Sequence, residues 1–298
     1  MQAKVSDFQV KEIVAERPGQ VIDWGVQMVN APKVWQHTKG EGVKIAILDT
    51  GVDTTHPDLV ENIKAGMNFT GGDPNDFMDR QGHGTHVAGI IAGVDNNQGV
   101  VGVAPKAELY IAKVLGDDGG GDIRGIAEGI MWAVMNKVDI ISMSLGCEAD
   151  PGPMLYNAIK YAYDQGITIV VASGNESHYV GWPAAYDEVI AVGAVDDLRH
   201  VASFSNFGIQ LDVAAPGVEI LSTYPTGVYA RLSGTSMATP VVSGVLALAI
   251  AQLRKNGSVP TPLSVMELLS AHAVDYGQAG RDDYYGEGII DAERLVLA

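Results

Sequence analysis

The sequence predicts a single-domain α/β protein with a doubly wound, mostly parallel sheet flanked by helices. Short apolar runs rich in β-branched residues recur along the chain and are typical of buried strands. Helical patterns fall between and after these runs, and alternation of this kind produces right-handed crossovers and a parallel sheet. The predicted strands span residues 43–48, 109–114, 138–143, 167–172 and 189–192, and the predicted helices span 86–93, 123–136, 153–163, 237–254 and 262–273.

The length of 298 residues is compatible with one large domain or two modest ones. One domain is the simpler prediction, because the chain has no internal repeat, low-complexity tract or Pro/Ser-rich linker. Charged residues make up 18% of the chain and glycines number 36, a composition that indicates a compact enzyme with tight turns and excludes disorder. We divide the chain into a polar N-terminal extension, residues 1–19, and a domain, residues 20–298.

Acidic residues outnumber basic ones by 36 to 19, which gives a net charge of -17 without any Lys/Arg cluster. Nucleic acid and anionic membranes are therefore not expected partners. The longest apolar stretch, residues 241–251, is interrupted by Ser243 and Gly244 and is shorter than the about 20 residues of a membrane span. We therefore expect no transmembrane helix.

A single cysteine, Cys147, excludes an intrachain disulfide and a cysteine-based zinc site. The N-terminal residues lack the apolar core of a signal peptide. These features favour a cytoplasmic protein. The alternative is a secreted protein whose signal and prodomain are absent from this chain.

The predicted strand at residues 43–48 runs directly into Asp49, Thr50 and Gly51. This position places the carboxylate at the carboxyl end of a strand, where open α/β sheets form their ligand crevices. An aspartate that only caps the following turn is an equally simple interpretation of this segment.

Two histidines, His83 and His86, lie three residues apart among small residues at the start of a predicted helix. Such a pair can supply metal ligands from one helical turn, but the glutamate of the zincin pattern is missing between them. A structural histidine and a catalytic base are the other two interpretations.

The third motif centres on Ser236, which precedes a long apolar helix and is surrounded by glycine and small residues. A serine there is often only a helix cap, yet the helix dipole also favours negative charge developing beside it. Upstream, Asn175 follows a strand and is able to donate an amide hydrogen bond, although a turn residue is the plain alternative.

These segments, DTG, HGTHVAG, SGN and GTSMATP, occur in an order that resembles the subtilisin family of serine proteases. The resemblance extends from about Gln20 to the end of the chain. It implies a serine endopeptidase that works through an acyl-enzyme, with Ser236 as nucleophile, His83 as base and Asp49 orienting the imidazole. It also implies that Asn175 and the Ser236 N–H hold the oxyanion. Val241 and Val242 depart from the family, many members of which have a histidine after the proline.

The resemblance further implies a cleft that pairs with an extended polypeptide substrate by strand addition. A pocket for the residue before the scissile bond would have a glycine floor and apolar walls, which favours large hydrophobic side chains. Glu176 near its mouth would also admit a basic residue. The residues implied in the cleft and pocket are Gly116, Gly119, Gly121, Ser144, Leu145, Gly146, Ala172, Gly174 and Gly181.

Calcium is the cofactor implied by the resemblance, because residues 94–100 interrupt a helix with polar, turn-forming residues. An ordinary Asn-Gly surface turn is the alternative. A second, weaker cation site is also implied, but Gln210 stands where the family has an acidic ligand. The implied calcium ligands are Gln20, Asp58, Asn96 and the carbonyls of Val94, Gln98 and Val100, and those of the second site are Asp212 and the carbonyls of Ala184, Tyr186 and Val189.

The acidic chain without a secretion signal most resembles the intracellular subtilisins of bacilli, although the proline-tyrosine inhibitory motif of that branch is missing. Residues 8–14 alternate apolar and polar side chains, a pattern that suits an extended strand. We hypothesise that residues 1–19 lie back across the active site and inhibit it, with Pro18 and Gly19 forming a turn. A disordered tail is the competing interpretation.

Two other functions stay open at this point. One is a catalytically silent subtilisin-like protein that binds peptides without cutting them. The other is a metal-dependent hydrolase that uses His83 and His86. The sequence does not determine the oligomeric state.

Overall fold

The computed structural model describes residues 2–5, 8–14 and 19–298. The strands are β1 (Gln2–Val5), β2 (Gln9–Val14), β3 (Lys44–Asp49), β4 (Ile63–Asn68), β5 (Glu108–Lys113), β6 (Gly120–Asp122), β7 (Ile140–Met143), β8 (Leu145–Gly146), β9 (Thr168–Ala172), β10 (Ile190–Val195), β11 (Val213–Pro216), β12 (Ile220–Tyr224) and β13 (Val228–Ser233). The helices are α1 (Trp24–Met28), α2 (Ala31–Val34), α3 (His83–Ala92), α4 (Ile123–Met135), α5 (Pro153–Asp164), α6 (Thr235–Lys255), α7 (Pro262–His272) and α8 (Ala292–Val296).

Seven strands form the central sheet, in the order β11-β10-β9-β7-β3-β5-β4. Every neighbouring pair in this sheet is parallel. The predicted fold class, a doubly wound α/β domain with a parallel sheet, is therefore confirmed.

Helices cover both faces of the sheet and produce two apolar cores. Along β3 the side chains alternate between them: Ile45 and Ile47 join the core beneath α3 and α6, whereas Ala46 and Leu48 join the core beneath α4 and α5. This alternation follows from the two-residue period of a strand. Because both faces are buried, the central strands are continuous apolar runs, which is why the sequence reveals them.

The five predicted strands correspond to β3, β5, β7, β9 and β10. Their ends lie within two residues of the predicted ends, except that β10 continues three residues further. The prediction missed β4 and β11, which form the two edges of the sheet. β4 contains Lys64, Gly66 and Asn68, and β11 ends in Pro216. Edge strands tolerate polar residues and proline because one side of their backbone has no sheet neighbour.

The apolar stretch of residues 241–251, which was predicted to be too short to span a membrane, belongs to the longer helix α6. It is 21 residues long, and among the described residues it is the one helix whose length and composition would suffice to cross a membrane. Every residue from Thr235 to Ile250 is buried, so α6 is the central core helix of this fold. Its burial, and not its length, separates it from a membrane span.

The described part of the N-terminal extension forms two strands against the domain. β1 lies between β6 and β8 and is antiparallel to both. β2 pairs antiparallel with β13, whose other neighbour is β12. Gly19 forms a bridge with Gln98. Of the turn predicted at Pro18 and Gly19, Pro18 lies outside the described residues, and the domain boundary at residue 19 stays a prediction.

Candidate active site

Three neighbouring strands bring candidate catalytic groups to the carboxyl-terminal end of the sheet. Asp49 is the last residue of β3, Ser144 follows β7, and Asn175 lies shortly after β9. Parallel strands end at a common edge, so these side chains converge although they are far apart in sequence. The N-termini of α3 and α6 add His83 and Ser236.

Asp49 and His83 form a fully buried pair. His83 Nδ1 lies 2.8 Å and 3.0 Å from the two carboxylate oxygens of Asp49, and the side chains of His83 and Asp49 are 0% and 1% exposed. A neutral imidazole that donates its Nδ1 proton to this carboxylate has its lone pair on Nε2. His83 Nε2 has no hydrogen-bond partner among residues 2–5, 8–14 and 19–298. This geometry suits an imidazole that acts as a general base through Nε2.

A second buried carboxylate, Asp79, holds this pair in place and was missed by the sequence analysis. Its oxygens accept hydrogen bonds from Thr50 Oγ1 (3.0 Å) beside Asp49, and from Gly82 N and Thr85 N (2.8 and 2.9 Å) at the start of α3. Asp79 therefore ties the strand that carries Asp49 to the helix that carries His83. The available signal was an aspartate just before a helix N-terminus, where carboxylates cap free N–H groups.

Ser236 lies in the first turn of α6 and exchanges hydrogen bonds with Ser144. The Ser236 hydroxyl donates to the Ser144 carbonyl at 3.3 Å, and the Ser144 hydroxyl donates to the Ser236 carbonyl at 2.9 Å. Pro240 lies within the helix and has no N–H, so the Ser236 carbonyl lacks its helical donor. Ser144 supplies that missing hydrogen bond and fixes the turn that carries Ser236 to the end of β7.

Asn175 is oriented by Thr235, the residue before Ser236. Its Oδ1 accepts hydrogen bonds from both the backbone N–H and the hydroxyl of Thr235, each at 2.8 Å. This arrangement directs the amide nitrogen to the opposite side, beside Gly234, where an added Cβ would lie 3.2 Å from Nδ2. The absence of a side chain at Gly234 therefore leaves room for this amide nitrogen. Sequence reasoning did not single out Thr235.

His86 has a different environment from His83. It is completely buried, and its Nε2 lies 3.0 Å and 2.9 Å from the carbonyls of Ile220 and Ala230. Burial lowers the pKa of His86 to about 3, so its ring is neutral. Within the part of the chain that the structure describes, no three metal-ligating side chains cluster. These contacts give no support to a metal site shared by His83 and His86.

The predicted cleft walls flank the N-terminal strand. Ala3 pairs with Gly121, and Val5 pairs with Leu145. The Val5 N–H donates to the Gly119 carbonyl at 2.9 Å. Gly146, another predicted wall residue, pairs with Lys4. The N–H of Gly116, also predicted in a wall, donates a hydrogen bond to the Gly120 carbonyl.

A cavity of about 610 Å³ opens beside this cleft. Gly146, Ala172, Gly174 and Gly181 line it as predicted, whereas Ser144 and Leu145 do not. At Gly181 an added Cβ would meet no atom closer than 3.4 Å, so the glycine widens the cavity. Glu176 also lines it, and its carboxylate accepts a hydrogen bond from Asn206 at 2.7 Å.

The family model of the subtilases matches residues 40–288 of the chain. The chain belongs to the subtilase family. It is 49% identical to an intracellular serine protease of Paenibacillus polymyxa over 277 residues, which cover 90% of this chain and 84% of that protein. It is 50% identical to the major intracellular serine protease of Bacillus subtilis over 235 residues, covering 75% and 73%. It is 45% identical to subtilisin BL of Lederbergia lenta over 276 residues, covering 92% and 98%.

The predicted calcium loop of this subtilase is closed around Asp58. Asp58 Oδ2 accepts hydrogen bonds from Val100 N and the Tyr229 hydroxyl, both at 2.9 Å. A Cβ at Gly99 would lie 1.8 Å from the same oxygen, so only glycine permits this approach. Gln20 Oε1 accepts from Asn97 N at 2.9 Å, which brings residue 20 to the loop.

The donor set at this loop fits a hard cation. The predicted ligands Asp58, Gln20 and Asn96 offer one carboxylate and two amide oxygens, and Val94, Gln98 and Val100 add backbone carbonyls. Ca²⁺ prefers six to eight oxygens of this kind.

The second predicted cation site offers fewer donors. Both carboxylate oxygens of Asp212 are already bonded, one to Ala191 N at 2.8 Å and the other to Arg281 at 3.0 Å. The Tyr186 carbonyl accepts from Val189 N at 3.4 Å. The other predicted ligand is the Ala184 carbonyl, and Gln210 adds no charge. The single carboxylate of this predicted site is already ion-paired with the Arg281 guanidinium, so its residues fit a cation less well than those of the first site.

Proposed function

We propose that this subtilase is a serine endopeptidase in which Ser236, His83 and Asp49 form the catalytic triad. The observation that carries the proposal is the buried Asp49–His83 pair, whose Nε2 makes no hydrogen bond among the described residues, at the start of a helix that packs against α6, which bears Ser236. His83 removes the proton as Ser236 attacks the peptide carbonyl, and an acyl-enzyme forms. His83 then protonates the leaving amine, and water hydrolyses the acyl group. The serine proteases among its relatives support this activity.

The oxyanion is stabilised by two donors. Asn175 Nδ2 is oriented through Thr235, and the Ser236 N–H lies in the first turn of α6, where N–H groups have no helical acceptor. Both donors are fixed before the reaction begins, so they stabilise the developing charge without reorganisation.

The cavity with the Gly181 floor receives the side chain that precedes the scissile bond, and its volume favours large hydrophobic residues. Serine-directed phosphonates test the activity and this preference together. Once the N-terminal extension has left the cleft, a peptidyl phosphonate with a phenylalanine side chain should label Ser236, abolish hydrolysis and react faster than its alanine counterpart. Labelling of another residue, or activity that survives complete labelling, would contradict the triad.

The N-terminal extension inhibits this enzyme by occupying its cleft in place of substrate. β1 fills the space between the two cleft walls as the middle strand of three. The ring of Phe8 lies 5.0 Å from the ring of His83, and Phe8 Cβ lies 3.7 Å from a Cβ built on Gly234. Val5 therefore lies on a cleft wall and Phe8 lies against His83, where substrate would bind, so the extension must leave before substrate enters.

Introducing a charge at Ala3 is expected to release the extension. Ala3 is 1% exposed, and burying an unpaired carboxylate there is strongly unfavourable. We expect Ala3→Asp to raise kcat/KM for a short peptide by at least about tenfold. Gln2→Asp is the matched control, because Gln2 is exposed on the same strand. Initial rates should be measured while intact mass shows an unprocessed chain.

A synthetic peptide of residues 1–14 should then inhibit the Ala3→Asp enzyme competitively. Equal kcat/KM for Ala3→Asp, Gln2→Asp and the unsubstituted chain, without competition by the peptide, would leave the extension with no inhibitory role.

We also propose that calcium binds at residues 94–100 with Gln20 and Asp58 and stabilises the fold. A ligand that binds only the native state stabilises it by about 2.7 kcal/mol at a hundredfold excess over Kd. EGTA should therefore lower the melting temperature by several degrees and change initial turnover at low temperature much less. Asp58→Asn should remove this calcium dependence, whereas Asp164→Asn, on the exposed side of α5, should retain it. A melting temperature insensitive to calcium would exclude the site.

The names of two relatives describe them as intracellular. Together with the acidic composition, these names support a cytoplasmic location, which we propose for this enzyme.

A further inference from the structure

The edge of β13 is covered by the extension and by no other strand among the described residues. β13 lies between β12 and β2 in a three-stranded antiparallel sheet. The pairing runs from Tyr229 opposite Val14 to Ser233 opposite Gln9, with an irregularity between Arg231 and Leu232. When β2 leaves, β13 becomes an edge strand whose N–H and C=O groups are able to bind another extended chain.

The described residues of the extension show where this edge lies relative to the catalytic groups. The inference drawn from them rests on the proposed function. Residues 2–5 pair with the cleft walls, Phe8 lies against His83, and residues 9–14 pair with β13. A substrate bound in the same direction has its residues before the scissile bond on β6 and β8. Its residues after the scissile bond, on the leaving-group side, then reach β13.

Along β2 the backbone pairs with β13, and Val14 at its end packs against Leu221 and Tyr229. Val10 and Ile13 are 46% and 58% exposed, so their side chains contribute little selectivity. Strand addition through the main chain tolerates many sequences, which suits a broad protease.

One side chain of β13 contributes charge selectivity. Arg231 Nε lies 3.5 Å from the Glu12 carboxylate. The Arg231 guanidinium is also held by the Glu219 carbonyl at 3.1 Å and by Asp23 at 3.5 Å. It is therefore oriented independently of the extension. An acidic side chain in the place of Glu12 gains an ion pair, and a basic one is repelled.

We propose that Val228–Ser233, once uncovered, is an extended binding site for the leaving-group side of polypeptide substrates, and that Arg231 selects an acidic residue in the place of Glu12. The preferred substrates are therefore extended or unfolded segments that continue at least to the position of Val14. Short peptides that end at the position of Phe8 contact the cleft walls but do not pair with β13.

The test uses the full chain with a specific-protease sequence introduced within residues 15–18. The chain is folded first and cut afterwards, so the domain never has to fold alone, and the extension is removed by gel filtration. Two quenched fluorescent peptides share every residue up to the place of Phe8, and one continues through the places of residues 9–14. We expect kcat/KM to be about tenfold higher for the longer peptide, because several main-chain hydrogen bonds each add a modest amount.

Single N-methyl groups at successive positions of the longer peptide test strand pairing directly. In an antiparallel ladder, successive N–H groups point to opposite sides. On each side of Lys11, which the irregularity skips in the register, every second N-methyl group should therefore lower kcat/KM toward that of the short peptide. Equal kcat/KM for the two lengths, or losses without alternation, would overturn the site.

Charge reversal tests the selectivity. The longer peptide with Glu in the place of Glu12 should be cut about two- to fivefold faster than the same peptide with Lys, the range expected for a partly exposed ion pair. Arg231→Glu should reverse this preference, which a purely structural role of Arg231 would not do. Lys160→Gln, which removes an exposed charge on α5, should keep it. An unchanged preference in Arg231→Glu would exclude the role of Arg231.

Failure of this proposal is distinct from failure of the proposed function. If the cut enzyme hydrolyses the short peptide and labels at Ser236 but ignores length and charge, only the β13 site is lost. If it hydrolyses neither peptide, the triad itself is wrong, and with it the β13 site.

Discussion

Ser236→Ala is expected to reduce kcat for peptide hydrolysis by about 10⁶-fold. This magnitude is the loss known for subtilisin itself when its nucleophile is removed, and it is adopted for this chain as a member of the same family. We expect this loss because the substitution removes the proposed nucleophile, the Ser236 hydroxyl at the start of α6 next to the proposed oxyanion donors. Alanine suits a helix, and the missing hydroxyl leaves only a small gap. The purified variant should be assayed on a short peptide in the Ala3→Asp background, so that the extension does not mask the effect.

Ser243→Ala is the matched control for the nucleophile. Ser243 is buried in the same helix, and its hydroxyl bonds to Ser142 and the Thr239 carbonyl. It should retain turnover, and both variants should show similar unfolding temperatures. Turnover near that of the unsubstituted enzyme in purified Ser236→Ala would refute the assignment, and loss of activity in Ser243→Ala as well would point to a disturbed helix.

Asn175→Leu is expected to lower kcat by about 10² to 10³-fold, with little change in KM. This range is the loss known for subtilisin when its equivalent asparagine donor is removed. Leucine keeps the approximate volume but removes the amide that we propose as an oxyanion donor. A donor that acts on charge developing in the transition state affects kcat and leaves substrate binding nearly unchanged.

Thr235→Val separates orientation of the donor from its presence. This variant removes the hydroxyl that donates to Asn175 Oδ1 and keeps the backbone donor. We expect a smaller loss of kcat than in Asn175→Leu. A rise in KM without a fall in kcat for Asn175→Leu would show that Asn175 binds substrate and does not stabilise the oxyanion.

Much of the site was predictable because its residues lie at local signals. Asp49 ends an apolar strand, His83 begins a glycine-flanked helix, and Ser236 precedes the most apolar helix of the chain. Strand and helix periods are properties of neighbouring residues, so a sequence displays them. The order of these motifs along the chain then resembled that of the subtilases.

The supporting contacts escaped prediction because they join distant segments. Asp79 contacts Thr50, 29 residues away, and Ser144 contacts Ser236, 92 residues away. Neither contact follows from a local period. Each exists because the crossovers bring separate strand ends and helix starts to one edge of the sheet.

The sequence by itself determined the fold class, the central strands and the identity of the candidate triad, since these depend on apolar period and on motifs a few residues long. Only the tertiary structure decided the edge strands, the burial of α6, the exclusion of Ser144 and Leu145 from the cavity, and the pairing of the extension with both cleft walls and β13. Pairing is decided by which backbone edges remain open once the sheet and its helices have packed. The alternation in residues 8–14 predicts a strand, but the backbone edges left open in the folded domain determine its pairing partner.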